Sequence, residues 1–161
     1  MHERRYETRL AAPAAEVFAF LRRPAEVVTV TDPDAGVRLL GGPEVMAVGT
    51  ANELEVVGFG LPQRVTYTVT ALEDRGEAGG AFTESMTRGP MATFENEHEV
   101  TADGAGCVVR EGFRFAPPGG LLGFVLTAEK IGRELDAAMT YRHRALADRF
   151  GSPGGAAGSV D

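Results

Sequence analysis

Polar side chains on the inner face of one strand-like segment are the residues of this sequence best suited to chemistry. Alternation along the segment puts Glu95, Glu97 and Glu99 on one face of a strand. Three carboxylates in a row must face water, since burying unpaired charges is strongly unfavourable. Asn96 and His98 therefore point the opposite way, into the predicted interior.

The strand-like segments on either side add two more carboxyl groups to this interior. By the same alternation their inner faces carry Phe82, Glu84 and Met86 before it, and Glu111, Phe113 and Phe115 after it. A two-residue turn at 104–105 sets His98 opposite Glu111, and a three-residue loop at 89–91 sets Glu84 opposite Asn96. Opposed side chains on one face have Cβ atoms about 5 Å apart, so the imidazole and the carboxylate can hydrogen-bond.

Two interpretations of this polar wall are open. In the first, Glu111 orients and charges His98, which acts as a general acid–base on a carbonyl ligand, with Glu84 as a second catalytic carboxyl. In the second, these groups satisfy one another as a structural network, or hydrogen-bond a ligand without reaction. The spacing of the three residues matches no metal-binding signature, and the sequence contains no nucleotide-binding or nucleophile motif. We therefore expect neither a metal nor a cofactor.

Weaker candidates lie elsewhere in the chain. Tyr67 lies in the clearest period-two segment and is predicted to line the interior. Arg142 is in helical phase with Met139, which aims it at the interior unless it is a salt-bridged or snorkelling arginine. His2 is expected in a frayed terminus. The apolar run 120–126 fits either the mouth of a pocket or an ordinary buried helix start.

The elements that must position these residues follow from periodicity and turn signals. A first strand ends near Leu10, a helix opens at Pro13 and a second short helix follows Pro24. Period-two segments then predict six strands, near residues 37–40, 50–59, 63–73, 80–88, 91–101 and 107–116. After a Pro-Pro-Gly-Gly stop, one helix is predicted over residues 120–149, and residues 151–161 are predicted to be a flexible tail.

This order predicts an α+β domain over residues 1–150. One sheet with one major helix buries only one sheet face, so the six- to seven-stranded antiparallel sheet must curl round that helix and leave space between them. We expect a cavity of at least about 300 Å³ there. Its predicted lining is Phe82, Glu84, Phe94, Asn96, His98, Glu111 and Phe113.

Composition limits the function classes. The 161 residues carry a net charge of −7, which argues against nucleic acid because phosphate binding relies on lysine and arginine. No stretch is long and apolar enough to span a membrane, and no apolar signal segment follows the first arginines, so we expect a cytoplasmic protein. The single cysteine, Cys107, excludes an internal disulfide and is interpreted as a small buried hydrophobe.

Three motifs resemble a known family. Residues 12–21, with Ala-Pro followed by Val-Phe and Leu, resemble the opening of the START-like helix-grip (SRPBCC) superfamily. Residues 82–90, Phe-x-Glu-x-Met-x-x-Gly-Pro, resemble a strand of its bacterial polyketide cyclase/dehydrase-like subgroup, as do residues 141–146. Asn96 stands where that subgroup usually has a first histidine, Phe94 where it has tryptophan, and Glu111 where it has aspartate.

The resemblance implies a helix-grip fold over about residues 6–150 and a small hydrophobic ligand. Its members include cyclases, lipid carriers, chaperones and self-resistance proteins, so the fold alone does not choose among functions. Our first expectation is a protein, monomeric or homodimeric, that binds a polyketide-, lipid- or aromatic-like molecule. The alternatives are a cyclase/dehydratase-type enzyme acting on a polyketone, and a chaperone or self-resistance protein that sequesters a metabolite.

Overall fold

A computed structural model describes residues 1–58 and 61–154. Within these residues, seven strands form one antiparallel sheet in the order β1-β7-β6-β5-β4-β3-β2. The strands are β1 (His2–Leu10), β2 (Arg38–Gly41), β3 (Ala51–Gly58), β4 (Leu61–Asp74), β5 (Gly79–Arg88), β6 (Thr93–Asp103) and β7 (Gly106–Ala116). The helices are α1 (Ala14–Leu21), α2 (Pro24–Thr29), α3 (Gly120–Val125) and α4 (Ala128–Phe150). The predicted α+β helix-grip architecture is confirmed.

Side-chain alternation sets the inner face of the sheet. In β7, for example, Glu111 and Phe113 are buried while Arg110 and Arg114 are exposed. The predicted register is also confirmed, since His98 pairs with Glu111 across β6 and β7. Phe82 pairs with His98, and Glu84 with Asn96, across β5 and β6. The polar residues chosen from the sequence therefore lie side by side on three neighbouring strands.

The prediction of one helix over residues 120–149 is wrong. Leu126 leaves the helical conformation, and Thr127 begins α4 as its N-cap, where its hydroxyl accepts a hydrogen bond from the backbone N–H of Lys130. A threonine with an acidic residue two positions later is a helix-start signal. The periodicity of the apolar residues continued across this break and concealed it.

Two apolar clusters hold α4 and the short helices against the sheet. The first cluster joins α1 and the end of α4 and includes Phe18, Leu21 and Leu146. The second joins the first half of α4 to the far ends of β6 and β7 and includes Phe113 and Met139. A cavity lies where these two clusters face each other.

Two expectations about segments outside the predicted polar wall are corrected. His2 is not frayed, since it belongs to β1 and its ring stacks on Phe115 with centroids 5.7 Å apart. The run 120–126 is not a buried helix start, because Leu121 is 87 % and Phe124 83 % exposed, and none of its residues lines the cavity between α4 and the sheet. Leu126 at its end is buried.

The predicted tail, residues 151–161, is described only in part. Gly151 closes α4, and its carbonyl accepts a hydrogen bond from the N–H of Ala11. Residues 155–161 lie outside the described residues, so the predicted flexibility of the tail stays a prediction. In the part of the chain that the structure describes, no helix has the length and apolar character needed to cross a membrane.

Candidate functional site

A cavity of about 250 Å³ lies between α4 and the inner face of the sheet. Its wall is mostly apolar and includes Tyr67, Phe82, Phe94, Phe113, Leu135 and Met139. Side chains of α2 and the segment after it, among them Val27 and Val37, complete the wall. The volume is somewhat below the 300 Å³ that we expected.

His98 lines this cavity, and Glu111 lies behind it as its hydrogen-bond partner. Nδ1 of His98 lies 3.0 Å from Oε1 of Glu111, so the predicted contact is confirmed. Because a carboxylate can only accept, Nδ1 carries a hydrogen and donates it. The imidazole stacks on the ring of Phe82 with centroids 4.5 Å apart. The opposite nitrogen, Nε2, is thereby aimed away from Glu111.

Glu111 is the centre of a buried ionic cluster. It is 1 % exposed and also accepts hydrogen bonds from Nη1 of Arg142 and Nε2 of His143, each at 2.8 Å. Burial alone would raise the pKa of Glu111, but Arg142, His143 and His98 together hold that pKa well below its usual value. Glu111 is therefore a carboxylate that anchors three side chains, and it is not part of the cavity wall.

The charge state of His98 follows from the carboxylates on its two sides. Burial would lower the pKa of this imidazole, but its hydrogen bond to Glu111 and the charges of Glu111 and Glu84 outweigh burial and raise the pKa to about 9. At neutral pH the ring is an imidazolium with a hydrogen on each nitrogen. Its Nε2–H is therefore a charged donor that belongs to a residue lining the cavity.

Glu84 faces that donor. Its Oε1 accepts a hydrogen bond from Nδ2 of Asn52 at 2.9 Å, and its Oε2 lies 3.7 Å from Nε2 of His98. The second distance exceeds that of a hydrogen bond. Asn52 in turn lies against Met46, whose sulfur accepts from the same Nδ2 at 3.0 Å. The amide thus fixes one oxygen of Glu84 and leaves the other beside His98.

Four buried polar atoms of the cavity-lining residues have no hydrogen-bond partner among the residues that the structure describes. They are Oδ1 of Asn52, Oδ1 of Asn96, Nε2 of His98 and Nε of Arg142. Buried polar groups in folded proteins are nearly always paired. The four unpaired atoms belong to residues that all line one cavity.

The structure brings most of the predicted ligand-binding residues to the cavity. Those that line it are Tyr67, Phe82, Glu84, Phe94, Asn96, His98, Phe113 and Arg142. The predicted lining residues Met86, Glu111 and Phe115 do not form part of its described wall. Met86 packs over Gly89 near the end of β5, and Phe115 is fully buried in the second apolar cluster. Whether the lining residues bind a ligand stays a prediction.

Sequence reasoning missed Asn52 and His143. Asn52 alternates with Leu54 and Val56 in β3, and all three line the cavity, so the period-two signal was present. His143 lies four residues after Met139, which places both on one helical face. Across residues 1–58 and 61–154, no group of three or more histidine, cysteine or acidic side chains is placed to hold a metal ion.

Comparison with known proteins identifies the fold and the family. The family described as polyketide cyclase/dehydrase and lipid transport matches residues 1–150. Among solved structures, Ara h 8.0201 is 13 % identical, with a TM-score of 0.60 over 92 % of this chain and 97 % of the other. Major latex-like protein 151 from Panax ginseng is also 13 % identical, with a TM-score of 0.67 over the same shares.

A third structure, TTHA0849 from Thermus thermophilus, is 12 % identical, with a TM-score of 0.67 over 92 % of this chain and 99 % of the other. At such identities these similarities show the fold alone. No curated protein matches the sequence of this chain.

Proposed function

The chain belongs to the polyketide cyclase/dehydrase and lipid transport family, and on that premise we propose that it binds one small, largely apolar molecule in the cavity between α4 and the sheet. The observation that carries the proposal is the cavity itself. Its wall is apolar over most of its area and holds unpaired polar atoms of Asn96, His98 and Arg142.

The physical argument has two parts. An apolar molecule that leaves water for the cavity gains roughly 25 cal/mol for each Å² of apolar surface buried. Polar atoms that lack partners in a buried site cost about 1–3 kcal/mol each. A ligand with a polar end would supply those partners, and its apolar body would fill the rest of the space.

Filling the cavity from α4 tests this proposal. Ala138 lines the cavity, whereas its neighbour Ala137 is exposed to solvent. Ala138→Phe places a ring inside the cavity and should abolish binding of 2-naphthol measured by fluorescence titration. Ala137→Phe adds the same ring outside and should bind as the unmodified protein does. Equal binding by both variants would place the ligand elsewhere and refute the proposal.

A second candidate function is acid–base chemistry on a bound ketone. The observation that favours it is the charged Nε2–H of His98 facing Oε2 of Glu84 across 3.7 Å. Nε2 would give its proton to the carbonyl oxygen while Glu84 takes a proton from the adjacent carbon, and the ketone becomes an enol. Exchange of the α-protons of 2-tetralone with deuterated water, lost in His98→Gln, would favour this function over binding alone.

Sequestration of a metabolite without turnover is the third possibility within the proposal. It predicts tight binding and no exchange catalysis in the same two assays. The proposal also includes a cytoplasmic location and a monomeric or homodimeric state.

A further inference from the structure

Resting on the proposed function, we infer that the bound molecule carries a hydroxyl group, as an alcohol, phenol or enol, at the end that lies between His98 and Glu84. The inference comes from counting the donors and acceptors that the cavity wall leaves free. It names the chemical class of the ligand, which the fold and the family leave open.

Over residues 1–58 and 61–154, the lining residues leave two donors free, Nε2 of His98 and Nε of Arg142. Nδ1 of His98 is committed to Glu111 at 3.0 Å, and because a carboxylate lies beside each nitrogen of the ring, Nε2 also carries a hydrogen. Among the described residues Nε2 has no hydrogen-bond partner, and its nearest acidic oxygen is Oε2 of Glu84 at 3.7 Å. The ligand must therefore present an acceptor to His98.

Two free acceptors belong to residues beside His98 on the wall, and a third, Oδ1 of Asn52, is also unpaired among the described residues. Oε1 of Glu84 is taken by Asn52, so Oε2 is the oxygen that remains beside His98. Oδ1 of Asn96 is buried without a partner within the described chain, and Asn96 lies directly opposite Glu84 across β5 and β6. The ligand must therefore also present a donor, and it must do so within reach of the atom that accepts from His98.

A hydroxyl is the smallest group that meets both requirements, because it donates one hydrogen and accepts on its oxygen. A ketone or an ether only accepts and would leave Oε2 of Glu84 and Oδ1 of Asn96 unpaired. An ammonium group only donates, so its hydrogens would face the Nε2–H of His98 and neither donor would have an acceptor. A carboxylate only accepts, and it would add a third negative charge beside Glu84 and Glu111, whose charges Arg142 and His98 already balance.

Probes that share one ring system and differ in a single group test the inference. We would titrate the full-length protein at pH 7 with 2-naphthol, 2-methoxynaphthalene, 2-acetylnaphthalene and 2-naphthoate, using calorimetry. We expect 2-naphthol to bind at least about tenfold more tightly than the ether and the ketone, because an unpaired buried group costs about that much. The carboxylate should bind most weakly.

Glu84→Gln assigns the preference to a residue. The amide oxygen of the new side chain can still accept from Asn52, but an NH₂ group then replaces the acceptor beside His98. The advantage of 2-naphthol over 2-methoxynaphthalene should fall to about twofold or less in this variant. Glu97→Gln makes the same chemical change on the exposed outer face of β6 and should keep the full preference.

The outcomes separate the inference from the function on which it rests. If the neutral probes bind the unmodified protein with equal affinity, the cavity binds apolar molecules but the hydroxyl inference is wrong. If the ketone or the carboxylate binds most tightly, the inference is wrong in the same way. If no probe binds, the proposed function fails and the inference falls with it. These comparisons on the unmodified protein stand even where Glu84→Gln does not fold.

Discussion

Removing the charge of Glu111 should change both the stability of the protein and the pH at which that stability is lost. In the folded protein the pKa of His98 is raised from 6.5 to about 9. A group whose pKa is raised in the folded state stabilises the fold fully at pH values below its unfolded pKa, which is about 6.5 here. That stabilisation is lost as the pH rises through the folded-state pKa. The window of loss therefore runs from about pH 6.5 to pH 9, and the amount is about 3 kcal/mol.

Glu111→Gln keeps the size of the side chain and removes its charge. Burial then acts on His98 with less opposition, so its pKa falls and the loss of stability between pH 6.5 and 9 should largely disappear. Arg142, whose side chain is 16 % exposed, is left without its carboxylate. Removing one partner of a buried ion pair lowers the free energy of unfolding by about 3–5 kcal/mol. At pH 6 this corresponds to a drop in Tm of about 10 °C.

Urea unfolding at pH 6.0, 7.5 and 9.5 gives the free energies, and long-range ¹H–¹⁵N NMR of the three histidines gives the pKa of His98 directly. His98→Gln identifies the part of the pH dependence that belongs to this ring, and Glu97→Gln controls for a surface charge change. A His98 pKa near 6.5 in the unmodified protein would refute the reasoning. So would a Glu111→Gln variant as stable as the unmodified protein.

Two further predictions concern residues outside the cavity. Gly79 has a φ of +99°, and a Cβ at this position would meet the carbonyl of Val100. Gly79→Ala should therefore destabilise the protein by at least about 1–3 kcal/mol, measured by urea unfolding. A variant of unchanged stability would contradict the backbone described for this turn. Cys107 is buried, and burial raises the pKa of its thiol to about 11. It should therefore react with a thiol reagent at pH 7 only after the protein unfolds. Fast labelling of the folded protein would contradict this burial of Cys107 in β7.

The inner polar wall could be predicted because two local signals determined it. Three glutamates in alternation required one face of β6 to be outside, and this put His98 inside. The two-residue turn between Asp103 and Gly106 then fixed which residue of β7 lies opposite it. Both signals act within a few residues of the chain, so no knowledge of the tertiary structure was needed.

The contact of His143 with Glu111 and the cavity wall from α2 could not be predicted in the same way. Which further residue near the end of α4 reaches the sheet depends on how the helix docks, and the periodicity of the helix does not determine that. The contact of His143 with Glu111 is a consequence of that docking. The pairing of Asn52 with Glu84 likewise joins strands that are not neighbours in the sheet, and turn lengths do not determine such contacts.

Methyl NMR of the methionines is the measurement that tests the central claim most directly. Of the five methionines, Met46 and Met139 line the cavity and Met1 is 78 % exposed at the N-terminus. We would label the methionine methyl groups with ¹³C and titrate the protein with 2-naphthol. The aromatic probe should shift the Met46 and Met139 methyl signals saturably, with one dissociation constant, and leave Met1 unmoved. Saturable shifts that spare both cavity methionines, or no shifts at all, would contradict the account.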